Sequence, residues 1–157
     1  MDSSYDVWEQ SVSTAITRDV LWRMQVYRLA LYLGDLCWND VSHLMRDRRT
    51  ISLADQLYRA VGSISANIAE GYSRSSGKDR SRFYEYALGS ARESRDWYHK
   101  SQYVLGAALA QERIELVAQV IRLILAMLSD QRIQVIRENT NQYITDSSDA
   151  DEDKETQ

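Results

Sequence analysis

The chain has 157 residues, 44% hydrophobic and 27% charged, with no Pro, six Gly, one Cys and a formal net charge of −4. That mixture excludes general disorder, and the single Cys37 excludes an internal disulfide and suits a reducing compartment. Pro breaks helices by removing a hydrogen bond and clashing with the preceding turn, so its absence favours long uninterrupted helices in one domain.

The charge is segregated. Residues 146–157 hold six acids and one Lys, which leaves +1 on residues 1–145. Within these, residues 43–82 carry eight Arg or Lys against four acids, a net of +4. The middle is therefore mildly basic and the tail acidic. No apolar run approaches the ~18 residues that a membrane helix needs. The acidic opening, MDSSYDVWEQ, lacks the basic-then-apolar pattern of a signal peptide, so a cytoplasmic protein with no membrane association is expected.

Residues 1–17 place Trp8, Val12, Ala15 and Ile16 at helical spacing, as expected of a short docking helix in an N-terminal extension. From about Asp19, Trp22, Val26, Leu29, Leu33 and Leu36/Cys37 fall on one face of a first helix. The pattern lapses over 43–50, where Arg46, Arg48 and Arg49 suit a helix C-terminus and its dipole.

Ser52 with Asp55 three residues on resembles a capping box that opens a second helix. Leu53, Leu57, Val61, Ile64 and Ile68 line one face, and Gln56, Ala60, Ser63, Asn67 and Glu70 run beside it. This polar line is expected to hydrogen-bond where the second helix meets the third. Gly71 is placed to end the helix in the left-handed conformation.

A third helix starts near Ser76, again with an acid three residues on. It keeps Phe83, Ala87, Ser90, Ser94, Trp97, Ser101 and Leu105 on one face, and Gly106 marks a break. The fourth is expected over about 111–137, with Ile114, Val117, Ile121, Leu125 and Leu128 as its core face. Leu116, Val120, Leu123 and Met127 form a second apolar stripe that needs a cover. A second copy of the chain is the expected cover; a wider core or the N-terminal segment are the other ways to bury it. Residues 18–138 thus read as an all-α bundle of four helices that is expected to self-associate. Residues 139–157 lack an apolar face and are expected to form a disordered acidic tail.

Nothing in the chain points to catalysis. Asp96 and His99, near Glu93, are the only hint of a carboxylate-bridged metal pattern, and they lie opposite the core face of the third helix. His43 is solitary. Cys37 continues an apolar stripe, Ser63 and Ser65 have no base nearby in sequence, and residues 71–77 lack the Lys-Ser/Thr ending of a phosphate loop. No enzyme, metal or cofactor is expected. Arg74, Lys78, Arg80 and Arg82, with Tyr72 and Tyr84 alongside, form a basic cluster across the second connection that suits phosphates and stacked bases.

Arg59-Ala60, Ser63-Ile64, NIAEG at 67–71, Arg74, Phe83, Ala87, Gly89-Ser90 and Glu93 resemble, in order and spacing, the bacterial four-helix bundle protein family. That family is also labelled S23 ribosomal protein or 23S rRNA intervening-sequence protein. The resemblance covers about residues 18–130 and implies an antiparallel up-down four-helix bundle over residues 18–138, with Arg59, Ser63, Asn67, Glu70, Gly71 and Ser90 as structural signature positions. It also implies kinship with the accessory variability protein of diversity-generating retroelements, a pentameric barrel that binds nucleic acid and a reverse transcriptase. A ring-like homopentamer contacting RNA or DNA through the basic loop follows from that likeness; a protein-binding scaffold with no nucleic-acid role is the alternative. The family commonly carries a Pro before its second helix and MRDRRTIS, residues 45–52, has none, so that connection is expected to differ.

Overall fold

The computed structural model describes the backbone of residues 3–152 and the side chains of residues 4–131. Helices α1 (Ser3–Ser11) and α2 (Thr14–Thr17) and a 3-10 turn (Val20–Arg23) precede four long helices. These are α3 (Gln25–Leu44), α4 (Ile51–Tyr72), α5 (Gly77–Leu105) and α6 (Ala107–Glu152). Helix α3 meets α4 and α6, α5 meets the same two, and α3 and α5 also touch across the middle. Among the described residues no helix is long and apolar enough to cross a membrane.

The first long helix begins later than its stripe suggests. Asp19 accepts a hydrogen bond from Leu21 N and caps a 3-10 turn instead, and the extended Met24 separates that turn from α3. Trp22 therefore belongs to the turn. Val26, Leu29, Ala30, Leu33, Cys37, Val41 and Leu44 form the buried face of α3.

The connection to α4 closes without a Pro. The Thr50 hydroxyl donates to the carbonyls of Leu44 (2.6 Å) and Asp47 (3.1 Å), which pins the turn to the end of α3. Arg49 donates to Asp47 through both backbone and side chain, and these bonds hold the Asp47 carboxyl at about 2. The expected Ser52–Asp55 capping box does not form: the N-cap of α4 is Thr50, two residues before Ser52, and Asp55 pairs with Arg59 instead.

Gly71 is likewise not a left-handed stop. Helix α4 continues to Tyr72 and its cap, Ser73, is right-handed. A Cβ on Gly71 would lie 2.7 Å from the Tyr84 ring, so the residue is needed for close approach of α5. The positive-φ glycine among the described residues is Gly106, at φ 88, which joins α5 to α6. The polar line on α4 is satisfied locally: Asn67 donates to Ser63 O at 2.8 Å, and Glu70 pairs with Arg74. Those bonds stay on α4 and its own turn, so they do not fix how α4 meets α5.

Helix α5 does start at Ser76, whose hydroxyl accepts from Asp79 N. Its buried face is rotated from the expected one and comprises Tyr84, Ala87, Leu88, Ala91, Ser94, Tyr98 and Ser101. Phe83, Ser90 and Trp97 lie half-buried on its margin. The small residues bring the neighbouring helices close, and the buried serines donate to their own helix, Ser94 to Ser90 O and Ser101 to Tyr98 O.

On α6, Val117, Val120, Ile121, Ile124 and Leu128 are buried and Leu125 is 44% exposed. Val120 therefore cannot meet a second copy: it is fully enclosed in this chain's own core. Leu116, Leu123 and Met127 are half-buried against the same core. The second stripe is largely the flank of a wider core face, and Val120 drops out of the expected α6 oligomer surface.

The N-terminal segment docks chiefly on α3. Buried Tyr5 meets Tyr32 edge-on at 5.2 Å, and the Trp8 indole donates to Asp35 Oδ2 at 2.6 Å. Ser4 and Tyr5 border, with Leu29, Leu36 and Leu116, a small pocket between α3 and α6. Val12 is half-buried, and Ala15 and Ile16 are exposed, so the docking rests on α1.

Helix α6 has 46 residues against 29 in α5. Residues 139–152, expected to be disordered, continue its helical backbone. No Pro or Gly follows Gly106, and a nucleated helix propagates without a further nucleation cost. Residues 153–157 of the expected tail lie outside the described residues.

Candidate nucleic-acid interface

The four basic side chains of the second connection divide into different roles. Arg74 pairs with Glu70 and lies over the Phe83 ring, 4.8 Å from its centroid. Arg82 lies 5.6 Å from the centroid of Tyr86, and its Nε donates to the Tyr86 hydroxyl at 2.7 Å. That hydrogen bond raises the pKa of an already permanent cation, so Arg82 stays charged throughout the working range. Lys78 is exposed in the first turn of α5.

Arg80 is different. It is half-buried, donates to Arg74 O at 3.0 Å and reaches Gln131 Oε1 on α6 at 3.4 Å. It holds the turn to the bundle and is only marginally part of the open surface.

Phe83 and Tyr86 stand edge-on at 5.8 Å, and exposed Tyr72 ends α4 beside them in the chain. The aromatic members of the surface are therefore Tyr72, Phe83 and Tyr86. Tyr84, expected alongside the cations, is buried against Gly71. The four-residue spacing of Arg82 and Tyr86 was the available signal for their pairing. Cations lying on rings provide both charge for phosphates and flat faces for bases.

A second polar constellation lies inside the bundle, and sequence periodicity gave it no role. Asp40 on α3 accepts the Tyr98 hydroxyl at 3.0 Å and Arg113 Nε at 2.9 Å, with all three residues buried. The signal was a charge on each of two core faces, at the buried register of Cys37 and Val41 and of Ala110 and Val117. Burial by itself lowers the pKa of Arg113, but the hydrogen bond and charge of Asp40 outweigh it and raise the value above the ordinary one. A desolvated ion pair whose hydrogen bonds are satisfied is a structural anchor, and no cleft opens onto it among the described pockets.

Cys37 lies one turn from Asp40 and is fully buried, and burial pushes its thiol up to about 12. Burial first, then its neighbours Cys37 and Asp40, drives the Tyr98 phenol in the same direction. Both groups are neutral when folded. Cys37 stabilisation is thus complete below about pH 9 and is lost as the pH rises toward 12, at about 1.4 kcal/mol per pH unit. An alkaline unfolding series should show this decline, and a thiol reagent at pH 8 should label Cys37 only after denaturant is added.

Asp96 and His99 are exposed, and Glu93 accepts the Trp97 indole N–H at 3.1 Å. Among the described residues no group of three His, Cys, Asp or Glu is placed to hold a metal ion. Of the remaining signature positions, Arg59 is an exposed partner of Asp55, and Ser63 and Ser90 supply carbonyls to Asn67 and Ser94.

Comparison with known proteins agrees with this architecture. No curated protein matches the chain. A crystal structure of a protein of unknown function from the S23 ribosomal protein family of Bacteroides thetaiotaomicron superposes with a TM-score of 0.61 at 20% identity. The match covers 66% of this chain and 97% of that one, and it shows the shared helical fold. The family model described as 23S rRNA-intervening sequence protein matches residues 23–130. This stretch holds α3 through α5, the packed part of α6 and the whole basic turn, and the chain belongs to the 23S rRNA-intervening sequence protein family.

Proposed function

We propose that this protein is a non-enzymatic, oligomeric accessory protein that binds RNA as a single strand through the α4–α5 turn. One observation carries the reading: Arg74 lies over Phe83 and Arg82 over Tyr86 on an open surface that also holds Lys78 and Tyr72. Stacked cations of this kind bind a flexible backbone and its bases without reading sequence. The family's description, which names a ribosomal RNA segment, is consistent with an RNA partner.

Titration of a labelled single-stranded RNA at several salt concentrations tests the reading. Changing Arg74, Lys78 and Arg82 together to Gln should weaken binding and flatten the slope of log K against log salt by about 2, from three charges at about 0.7 each. Arg80 is left in place because it holds the turn to α6. Binding that is indifferent to salt, or intact in the triple variant, would refute the proposal.

Self-association belongs on a different face from the one α6 suggested. Trp38 is 60% exposed on α3 and faces exposed Tyr58 on α4, while Met45, 61% exposed, and exposed Ile51 flank the connection between the two helices. Trp38 and Tyr58 pack on each other at 5.8 Å. One turn further along the antiparallel pair lie Gly34 and Gly62, where an added Cβ would meet nothing. An aromatic knob beside a notch offers a surface that a second copy fits, and repeated copies would multiply a modest RNA contact. The family resemblance implies five. Trp38→Lys should lower the light-scattering mass at unchanged helicity; an unaltered mass would remove the seam from the proposal. A stoichiometric foreign protein held at this seam, with no RNA affinity, would favour the scaffold reading instead.

A further inference from the structure

At the end of the bundle that carries the basic turn, Met24, Tyr72, Arg80, Tyr84, Met127, Asp130 and Gln131 line an open cleft of about 540 Å³. The start of α3, the end of α4, the start of α5 and the middle of α6 converge there. Its volume lies in the range of small-ligand sites, roughly 300–1,000 Å³.

The lining has a particular chemistry. Two thioethers and a tyrosine ring provide flat, polarisable walls that accept a planar ring system. Asp130, exposed on α6, offers acceptors only. Arg80 offers donors only; among the described residues Nη1 uses one N–H toward Gln131 and Nη2 one toward Arg74 O, which leaves a second N–H on each for a ligand. Gly71 lets the Tyr84 ring sit against α4, which fixes that wall of the cleft. A planar ligand that satisfies both charged groups needs donors on one edge and acceptors on another.

We infer that this cleft takes a single unstacked guanine base. Guanine presents N1–H and N2–H donors on one edge, for a carboxylate, and O6 and N7 acceptors on the next, for an Arg. The other common bases mix donors and acceptors along the edges that Asp130 and Arg80 would meet. Bases splayed from a single strand are recognised by stacking and by such edge hydrogen bonds. The inference deepens the RNA reading: Tyr72 and Arg80 belong to the same turn region as Arg74 and Lys78, so phosphates held by those cations would deliver a base to the cleft mouth. It turns a sequence-indifferent surface into one with a guanine preference.

The test is methyl NMR of the full chain labelled at methionine, titrated with guanosine 5′-monophosphate and with adenosine 5′-monophosphate. The Met24 and Met127 methyls should shift with the guanine nucleotide while exposed Met45, beside the α3–α4 connection, does not. Guanine affinity should exceed adenine affinity by about tenfold, as one paired edge discriminates. Asp130→Asn should abolish that preference, and Met24→Trp should block both ligands by filling the cleft. Unshifted Met24 and Met127, or equal affinities that Asp130→Asn leaves unchanged, would overturn the inference. The two proposals fail separately. RNA bound through Arg74, Lys78 and Arg82 with no gain from a guanine placed in an oligouridine overturns the cleft alone. Shifts with the guanine nucleotide in a protein that binds no RNA support the cleft and overturn the surface.

Discussion

Replacing Arg113 by Met is expected to destabilise the folded chain by about 3–5 kcal/mol, because it leaves a buried carboxylate without its cation. Asp40 is only 3% exposed, so water cannot take the place of the guanidinium. Tyr98→Phe should cost less, about 1–2 kcal/mol, since Asp40 retains Arg113 Nε at 2.9 Å. The informative variant is the double replacement Asp40→Leu with Arg113→Met. It removes both charges together and should be more stable than either single change, as apolar substitution of a whole buried pair often is. Urea denaturation of the four proteins measures the coupling directly. A double variant no better than the worse single one would show that the network does more than neutralise itself.

Gly71→Ala should destabilise by roughly 1–3 kcal/mol despite the better helix propensity of Ala. The added Cβ would meet the Tyr84 ring at 2.7 Å and Phe83 Cβ at 3.1 Å, so α4 and α5 must separate or Tyr84 must leave its position. The control is Gly89→Ala, on the exposed side of α5, where the new Cβ meets nothing and a gain of about 0.5–1 kcal/mol is expected. Thermal or denaturant melts read both. If Gly71→Ala stabilised as Gly89→Ala does, the close approach would not constrain the fold. A related readout is the basic surface itself. Spreading the α4–α5 corner moves Phe83 and the ring on which Arg74 rests, so RNA affinity should fall along with stability.

The sequence by itself determined the number of the four long helices, because apolar spacing, the absence of Pro and the Ser76 and Gly106 signals are local; their extents moved, most of all for α6, which spans Ala107–Glu152 against the expected 111–137. It also exposed the segregated charge, and the signature from Arg59 to Glu93 carried the family. Some local features were legible, as with the Ser76 cap and the buried Cys37, while others were misread at equally short range: Asp55 pairs with Arg59 and not with Ser52. Side-chain roles were not legible where they depend on what another helix brings. The second stripe of α6 looked unpartnered because periodicity does not reveal how wide a face of α6 the packed α3 and α5 take into the core. Gly71 looked like a helix stop because only the packed Tyr84 ring shows why no side chain fits there. Asp40 and Arg113, 73 residues apart, form a pair that no local pattern announces. The division follows from range: propensity and capping act over a few residues, whereas burial and ion pairing are decided by which helix faces meet.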